Sequence, residues 1–150
     1  MAFRLSKRSL RNLAGVHPKL NLVASRAIQT TQIDFGVIEG LRTVERQREL
    51  VARGASQTMK SKHITGHAID CAAYIGNRLS WEANLYDDIA DAMKAAAEEY
   101  GVALRWGAAW HISDIREFDG SMQDATDSYV DLRRSQGRRP FLDFPHFELS

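Results

Sequence analysis

Apolar side chains recur at helical intervals in two long segments of the chain, which predicts two amphipathic helices. The first begins at Pro18, because proline suits the first turn of a helix. The second runs from about residue 81 to Tyr100, with Ser80 as its N-cap and Gly101 at its end. The predicted apolar faces are Leu20, Val23, Ala24, Ala27 and Ile28 in the first helix, and Leu85, Ile89, Met93 and Ala96 in the second.

Shorter helices are predicted after the capping residues Ser6 and Thr43, and a further one over about residues 124–136. Four short apolar runs separate these helices and are typical of strands. Helices and strands follow one another without a regular βαβ alternation, which favours an α+β fold. We expect a small, mostly antiparallel sheet with helices packed on it. The strands are predicted at residues 35–40, 68–74, 104–106 and 146–149.

Composition narrows the class of protein without identifying it. A chain of 150 residues suits one domain, and 44% hydrophobic with 26% charged residues is typical of a globular protein. The net charge of +1 argues against nucleic acid or an anionic membrane as partner. The single cysteine, Cys71, excludes an internal disulfide. We find no signal-peptide pattern at the start and no run approaching the roughly 18 apolar residues of a membrane span.

Two polar clusters carry candidate metal chemistry. His63 and Asp70 lie seven residues apart around a glycine, and His146 lies in a second cluster near the chain end. Two imidazoles and one carboxylate make the ligand count of a catalytic zinc site, which leaves a corner for water. Asp143 is the natural general base, provided that the chain bends between it and His146. Pro145 favours such a bend, because it disfavours helix at the preceding residue.

The spacing alone leaves a plainer interpretation open. His63 and Asp70 could be surface residues of a glycine-containing turn, and His146 a residue of a chain end. His67 follows His63 at a helical interval, but the intervening glycine disfavours a helix there, so we expect His67 to be solvated. Glu148 could add a further polar group to the site.

The first cluster carries a family resemblance. The pattern Ser61-x-His63-x-x-Gly66-x-Ala68-x-Asp70, with Asp143 and His146 far downstream, resembles zinc peptidases that include D-Ala-D-Ala carboxypeptidases and dipeptidases. Within that group the chain is most similar to phage endolysins of the L-alanyl-D-glutamate endopeptidase type. Further matching segments are Phe3, Leu13 and Pro18; Glu39-Gly40-Leu41-Arg42-Thr43; Gly54-x-Ser56; Ala68-Ile69-Asp70-x-Ala72-x-Tyr74-Ile75; and Leu104-Arg105-Trp106-Gly107-Ala108-x-Trp110.

The resemblance implies a role for each matching residue. It makes His63, Asp70 and His146 the ligands of a Zn²⁺ cofactor and Asp143 the catalytic base, all within one zinc peptidase catalytic domain over residues 1–150. The remaining site residues are Arg42, near the substrate carbonyl or carboxylate, and Ser61, which helps to hold the substrate.

For the whole protein, the resemblance implies hydrolysis of bacterial peptidoglycan between L-Ala and D-Glu. A monomer is expected that stays in the host cytoplasm until a partner holin gives it access to the wall.

Three rival functions remain at this point. The nearest is a D-Ala-D-Ala carboxypeptidase or dipeptidase of the same family. A zinc-bearing module that binds a partner without catalysis is the second, and a structural protein of a virion or cell wall is the third. Residues 107–142 are also longer than the resemblance predicts, and Phe144-Pro145 is a bulkier pair than some relatives carry.

Overall fold

The computed structural model describes residues 2–150, and the prediction of an α+β fold is confirmed. The short helices after Ser6 and Thr43 form as predicted, because each capping hydroxyl accepts a hydrogen bond from a backbone N–H three residues on. The helices are α1 (Lys7–Leu13), α2 (Pro18–Thr30), α3 (Val44–Ala52), α4 (Ala83–Tyr100) and α5 (Met122–Ser135), and a short 3₁₀ helix spans Ile115–Glu117.

Five strands form one antiparallel sheet in the order β1-β2-β5-β4. β2 is the central strand, because β1 pairs along one of its edges while β5 and β3 pair with the beginning and the end of the other. Within residues 2–150, no helix is both long and apolar enough to cross a membrane. The strands are β1 (Asp34–Glu39), β2 (Ala68–Ile75), β3 (Arg78–Ser80), β4 (Leu104–Trp106) and β5 (His146–Leu149).

The two faces of the sheet have different roles. One face is apolar and packs with α2 and α4 into the core, where every predicted apolar position of these two helices is buried. The ring of Trp106 stacks on that of Phe147 at 6.2 Å between centroids, which anchors β4 and β5 to this core. Since side chains alternate along a strand, the intervening residues of β2 and β5 lie on the opposite, polar face.

The predicted start of α4 is wrong. Ser80 does not cap the helix; it ends β3, opposite Ala73 of β2. The turn at Gly76 reverses the chain, and three residues then pair back onto β2 before the helix begins at Ala83. The Ser80 carbonyl accepts a hydrogen bond from the Tyr86 hydroxyl at 2.8 Å, which holds the end of this hairpin against the helix.

Burial and neighbouring carboxylates of α4 and α5 disfavour ionisation of Asp87. Burial raises the pKa of Asp87 to about 6, and the negative charges of Asp91, Asp88 and Asp127 act in the same direction. The unfolded chain has a carboxyl pKa of about 3.9. The folded protein therefore binds this proton more tightly, and stability is lost as the pH rises from about 4 through about 6.

We predict that Asp87→Asn raises the free energy of unfolding at pH 7 and changes it little at pH 4, because only the ionised carboxylate is unfavourable. Urea denaturation at both pH values measures this, with the exposed Asp119→Asn as control. An equal gain at both pH values would assign the effect to the amide rather than to the lost charge.

Candidate metal centre

The pairing of β2 with β5 brings two of the predicted ligands together. Asp70 lies directly opposite His146 in this register, and Asp70 Oδ1 is 3.3 Å from His146 Nδ1. The neighbouring pair, Ile69 and Phe147, points to the other face and is fully buried in the core. The same register that fills the core therefore places both predicted ligands on the polar face.

His63 reaches the same point from the turn that precedes β2. The Ser61 hydroxyl accepts a hydrogen bond from the His63 backbone N–H at 3.2 Å and stabilises the turn. Gly66 ends it with a φ of +75°, and a Cβ there would lie 2.7 Å from the Gly15 carbonyl oxygen. A glycine is required at this position, and it sets the turn so that His63 Nε2 lies 3.3 Å from Asp70 Oδ1.

The donor set of this cluster fits a zinc ion. One ligand atom from each of His63, Asp70 and His146 lies within 4.8 Å of the others. Each imidazole also directs its second nitrogen at a fixed acceptor: His63 Nδ1 is 3.0 Å from the Gly40 carbonyl, and His146 Nε2 is 2.8 Å from Glu148 Oε1. Histidine ligands of metals usually donate their second N–H in this way. Two imidazoles and one carboxylate can thus hold a metal ion and leave a position open.

Ionisation within the cluster also favours a cation. Burial alone would raise the pKa of Asp70, but hydrogen bonds from His146 and His63 hold it well below its usual range. Burial alone would lower the pKa of His146, but its hydrogen bonds to Asp70 and Glu148 raise it to about 9. The two carboxylates that face His146 thus favour positive charge at this position, which a proton or a bound metal ion can supply.

The bend predicted at Pro145 is present. A turn closes with a hydrogen bond from the His146 N–H to the Asp143 carbonyl at 3.1 Å. Gly107 brackets this turn, because its N–H donates to the His146 carbonyl and its carbonyl accepts from the Asp143 N–H, both at 2.8 Å. The bend brings both residues to the cluster, which strict strand alternation could not do.

Asp143 is half-buried beside the cluster. Burial raises the pKa of its carboxyl group above the usual value, and the negative charge of Asp70 acts in the same direction. The charges of His146, His63 and Arg42 lower this pKa and offset part of the rise. Such a carboxylate, close to the metal position and with a raised pKa, is suited to accept a proton near neutral pH.

Arg42 is fixed in place by partners that the sequence did not reveal. Its side chain is only 9% exposed, and its Nε and Nη1 donate to Glu39 at 2.6 Å and to Gln47 at 2.7 Å. The Arg42 backbone N–H donates to the His63 carbonyl at 2.8 Å, which ties this loop to the ligand turn. Glu39 lies opposite Asp70 in the β1–β2 register, and the sequence alone does not show this pairing.

The other histidines lie outside the cluster. The His67 ring is 5.1 Å from that of His17, and its Nδ1 bonds to Thr65. The His111 ring packs against Tyr129, and His111 is not part of the metal-binding group. His63 and His67 therefore do not form a helical metal-binding pair, although four positions separate them.

Comparisons of sequence and of structure both relate this chain to L-alanyl-D-glutamate peptidases. A family model described as phage L-alanyl-D-glutamate peptidase matches residues 1–150. The L-alanyl-D-glutamate peptidase of Escherichia phage T5 is 39% identical over 117 residues, which cover 75% of this chain and 85% of that protein. The crystal structure of the Serratia marcescens L-Ala D-Glu endopeptidase ChiX superposes with a TM-score of 0.74 at 36% identity, covering 99% of this chain and 91% of that one.

Gly107 provides a test of the geometry. A Cβ at this position would lie 2.2 Å from the Asp143 carbonyl oxygen and 3.0 Å from the Cβ of His146, so Gly107→Ala must displace the turn. We predict a loss of zinc affinity of about tenfold or more, measured by competition with a chromophoric chelator.

The matched control is Gly76→Ala, which carries the strain of a positive φ but has no atom within 4 Å of the added Cβ. It should bind zinc as the unmodified protein does. Unchanged zinc affinity in Gly107→Ala would show that the position of His146 does not depend on this contact.

Proposed function

Because this chain belongs to the family of phage L-alanyl-D-glutamate peptidases, we propose that it is a zinc-dependent peptidoglycan endopeptidase. The proposed substrate is the stem peptide of bacterial murein, and the scissile bond joins L-Ala to D-Glu. The cluster of His63, Asp70 and His146 with Asp143 beside it is the observation that carries this proposal. Residues 1–150 act as a single catalytic domain.

The proposed metal ligands are His63 Nε2, Asp70 Oδ1 and His146 Nδ1. These atoms converge, and the second nitrogen of each imidazole is occupied by Gly40 or Glu148. Bound zinc supplies Lewis acidity and a nucleophile derived from water near neutral pH. With Asp70 as the single carboxylate ligand, the centre would keep a net positive charge when Zn²⁺ is bound.

Asp143 acts as general base and then as general acid. Its carboxylate accepts the proton of the attacking water while the oxygen bonds to the L-Ala carbonyl carbon. It then delivers this proton to the D-Glu nitrogen as the carbon–nitrogen bond breaks. Its partial burial supports this role, because a raised pKa brings the group closer to the working pH.

Arg42 and Ser61 bind the substrate in this proposal. The guanidinium of Arg42 faces the negative charge that develops on the carbonyl oxygen, and its contacts with Glu39 and Gln47 hold it ready for that task. The Ser61 oxygen accepts a hydrogen bond within its own turn, so its O–H is available to donate to the peptide.

Digestion of purified murein followed by mass spectrometry tests the proposal. We expect new C-terminal L-Ala and new N-terminal D-Glu. Release of D-Ala would instead support a D-Ala-D-Ala carboxypeptidase activity. Unchanged murein in the presence of bound zinc would favour a non-catalytic module.

The holin partner, the monomeric state and retention in the host cytoplasm stay predictions from the resemblance. Turbidity of intact and chloroform-treated Gram-negative cells tests the need for a membrane lesion. Rapid clearing of intact cells would show that no helper is required.

We predict about one zinc per chain, because three protein ligands with an open position form one site. His63→Ala should abolish high-affinity zinc binding, as measured by elemental analysis after desalting. His111→Ala is the matched control, since this histidine lies outside the cluster. Full zinc occupancy in His63→Ala would contradict the ligand assignment.

We predict that Asp143→Asn retains zinc and fold but loses turnover on murein by roughly 10²–10⁴-fold, because an amide cannot accept the proton of water. Initial rates of stem-peptide cleavage measure the loss, with the exposed Asp119→Asn as control. Turnover near that of the unmodified enzyme would require a different base.

A further inference from the structure

Glu148 is a buried carboxylate that the proposed reaction does not use. Its residue is 8% exposed, and both of its carboxylate oxygens are engaged. Oε1 lies 2.8 Å from His146 Nε2, and Oε2 lies 3.0 Å from the Lys62 ammonium. Burying a carboxylate costs free energy unless the group is paired and hydrogen-bonded. The two contacts of Glu148 meet this condition and point to a specific function for the residue.

The strand pairing explains why Glu148 meets His146. The two residues are two positions apart on β5, so their side chains lie on the same, polar face. Ala68 lies opposite Glu148 on β2 and its small side chain leaves room for the carboxylate. On the other side Arg105 is paired with Glu148, but its Nε donates to the Trp110 carbonyl at 3.0 Å instead.

Lys62 is thus the cation that holds Glu148. Its ammonium also donates to the Leu149 carbonyl, so it has two anchors on β5. Lys62 immediately precedes the ligand His63, and its contacts join the turn of the first ligand to the strand of the third. Asp70 Oδ1 also contacts both His63 and His146, so Lys62 provides a second connection between these segments.

We infer that Glu148, held by Lys62, is a positioning residue that selects the tautomer of His146 for metal binding. A neutral imidazole has one N–H and one lone pair. The Glu148 carboxylate can only accept, so it keeps the N–H on Nε2 and leaves the lone pair on Nδ1, toward Asp70. The inference rests on the proposed zinc site, in which Nδ1 is the ligand atom.

The geometry separates this role from that of a second base. Nδ1 and Nε2 lie on different edges of the His146 ring, so the imidazole stands between Glu148 and Asp70. With Oε2 committed to Lys62, Glu148 has no oxygen free for the proton of an attacking water.

The test compares zinc affinity in three variants of the full chain, by competition with a chromophoric chelator. Glu148→Ala should weaken zinc binding by about 10–100-fold, as loss of a ligand's hydrogen-bond partner typically does. Glu148→Gln should restore most of the affinity, because the amide oxygen still accepts from Nε2. Lys62→Met should fall between them, since Glu148 keeps its contact with His146 but loses its anchor.

A second readout and a control variant exclude a merely structural role. The visible absorption bands of bound Co²⁺ should change in Glu148→Ala and return in Glu148→Gln, because they report the ligand geometry. Glu49→Ala, which removes a carboxylate from the exposed Arg46–Glu49 pair, is the matched control and should leave metal affinity and spectrum unchanged.

Three results would overturn the inference. The first is a Glu148→Ala variant that unfolds more easily yet binds zinc as tightly as the unmodified protein. The second is a variant with full zinc affinity and lost turnover, which would make Glu148 a base. The third is failure of Glu148→Gln to recover affinity, which would assign the effect to charge rather than to the tautomer.

The experiment also separates this inference from the proposed function. Zinc affinity is measured without murein. If Glu148→Ala binds zinc more weakly while the unmodified protein leaves murein intact, the inference is supported and the proposed function is contradicted. Normal cleavage by the unmodified protein together with full zinc affinity in Glu148→Ala would contradict the inference alone.

Discussion

The antiparallel register of β2 and β5 is the constraint on which the site depends. It places Asp70 opposite His146, although they lie 76 positions apart in the sequence. The same register puts Ile69 and Phe147 into the core, so a slip of one residue would bury the proposed ligands and expose the core at once. Core packing and ligand geometry are therefore enforced by one set of backbone hydrogen bonds.

The turn that carries Asp143 into the site is held from several sides. Beyond its contacts with Gly107, the Phe144 carbonyl accepts from the Trp106 indole at 2.8 Å, and the Pro145 carbonyl accepts from the Cys71 N–H at 2.8 Å. Both donors belong to strands that flank β5. A proposed base that is placed by paired strands loses little freedom when substrate binds, which is the arrangement that accurate positioning requires.

Local sequence signals account for much of the fold and for the site's central residues. The caps at Ser6 and Thr43 and the apolar faces of α2 and α4 were predictable, because each depends on neighbours within a few residues. The motif around His63 and the bend at Pro145 likewise give local signals. Ser80 misled because a three-residue strand has too little periodicity to be told from a helix start.

The supporting contacts of the site were beyond such reasoning. Lys62 and Glu148 meet only when distant segments pair. Glu39 and Gln47 lie within five residues of Arg42, but the irregular loop around Arg42 has no periodicity that would predict these contacts. Their partners are set by strand register and by loop packing, which the local pattern of polar and apolar residues does not encode.

Anomalous diffraction from zinc-loaded crystals is the most direct test of the central claim. We predict one strong peak between His63 Nε2, Asp70 and His146 Nδ1, with a fourth position free of protein ligands and Glu148 still bonded to His146 Nε2. A peak elsewhere in the molecule, or coordination through His146 Nε2, would contradict it.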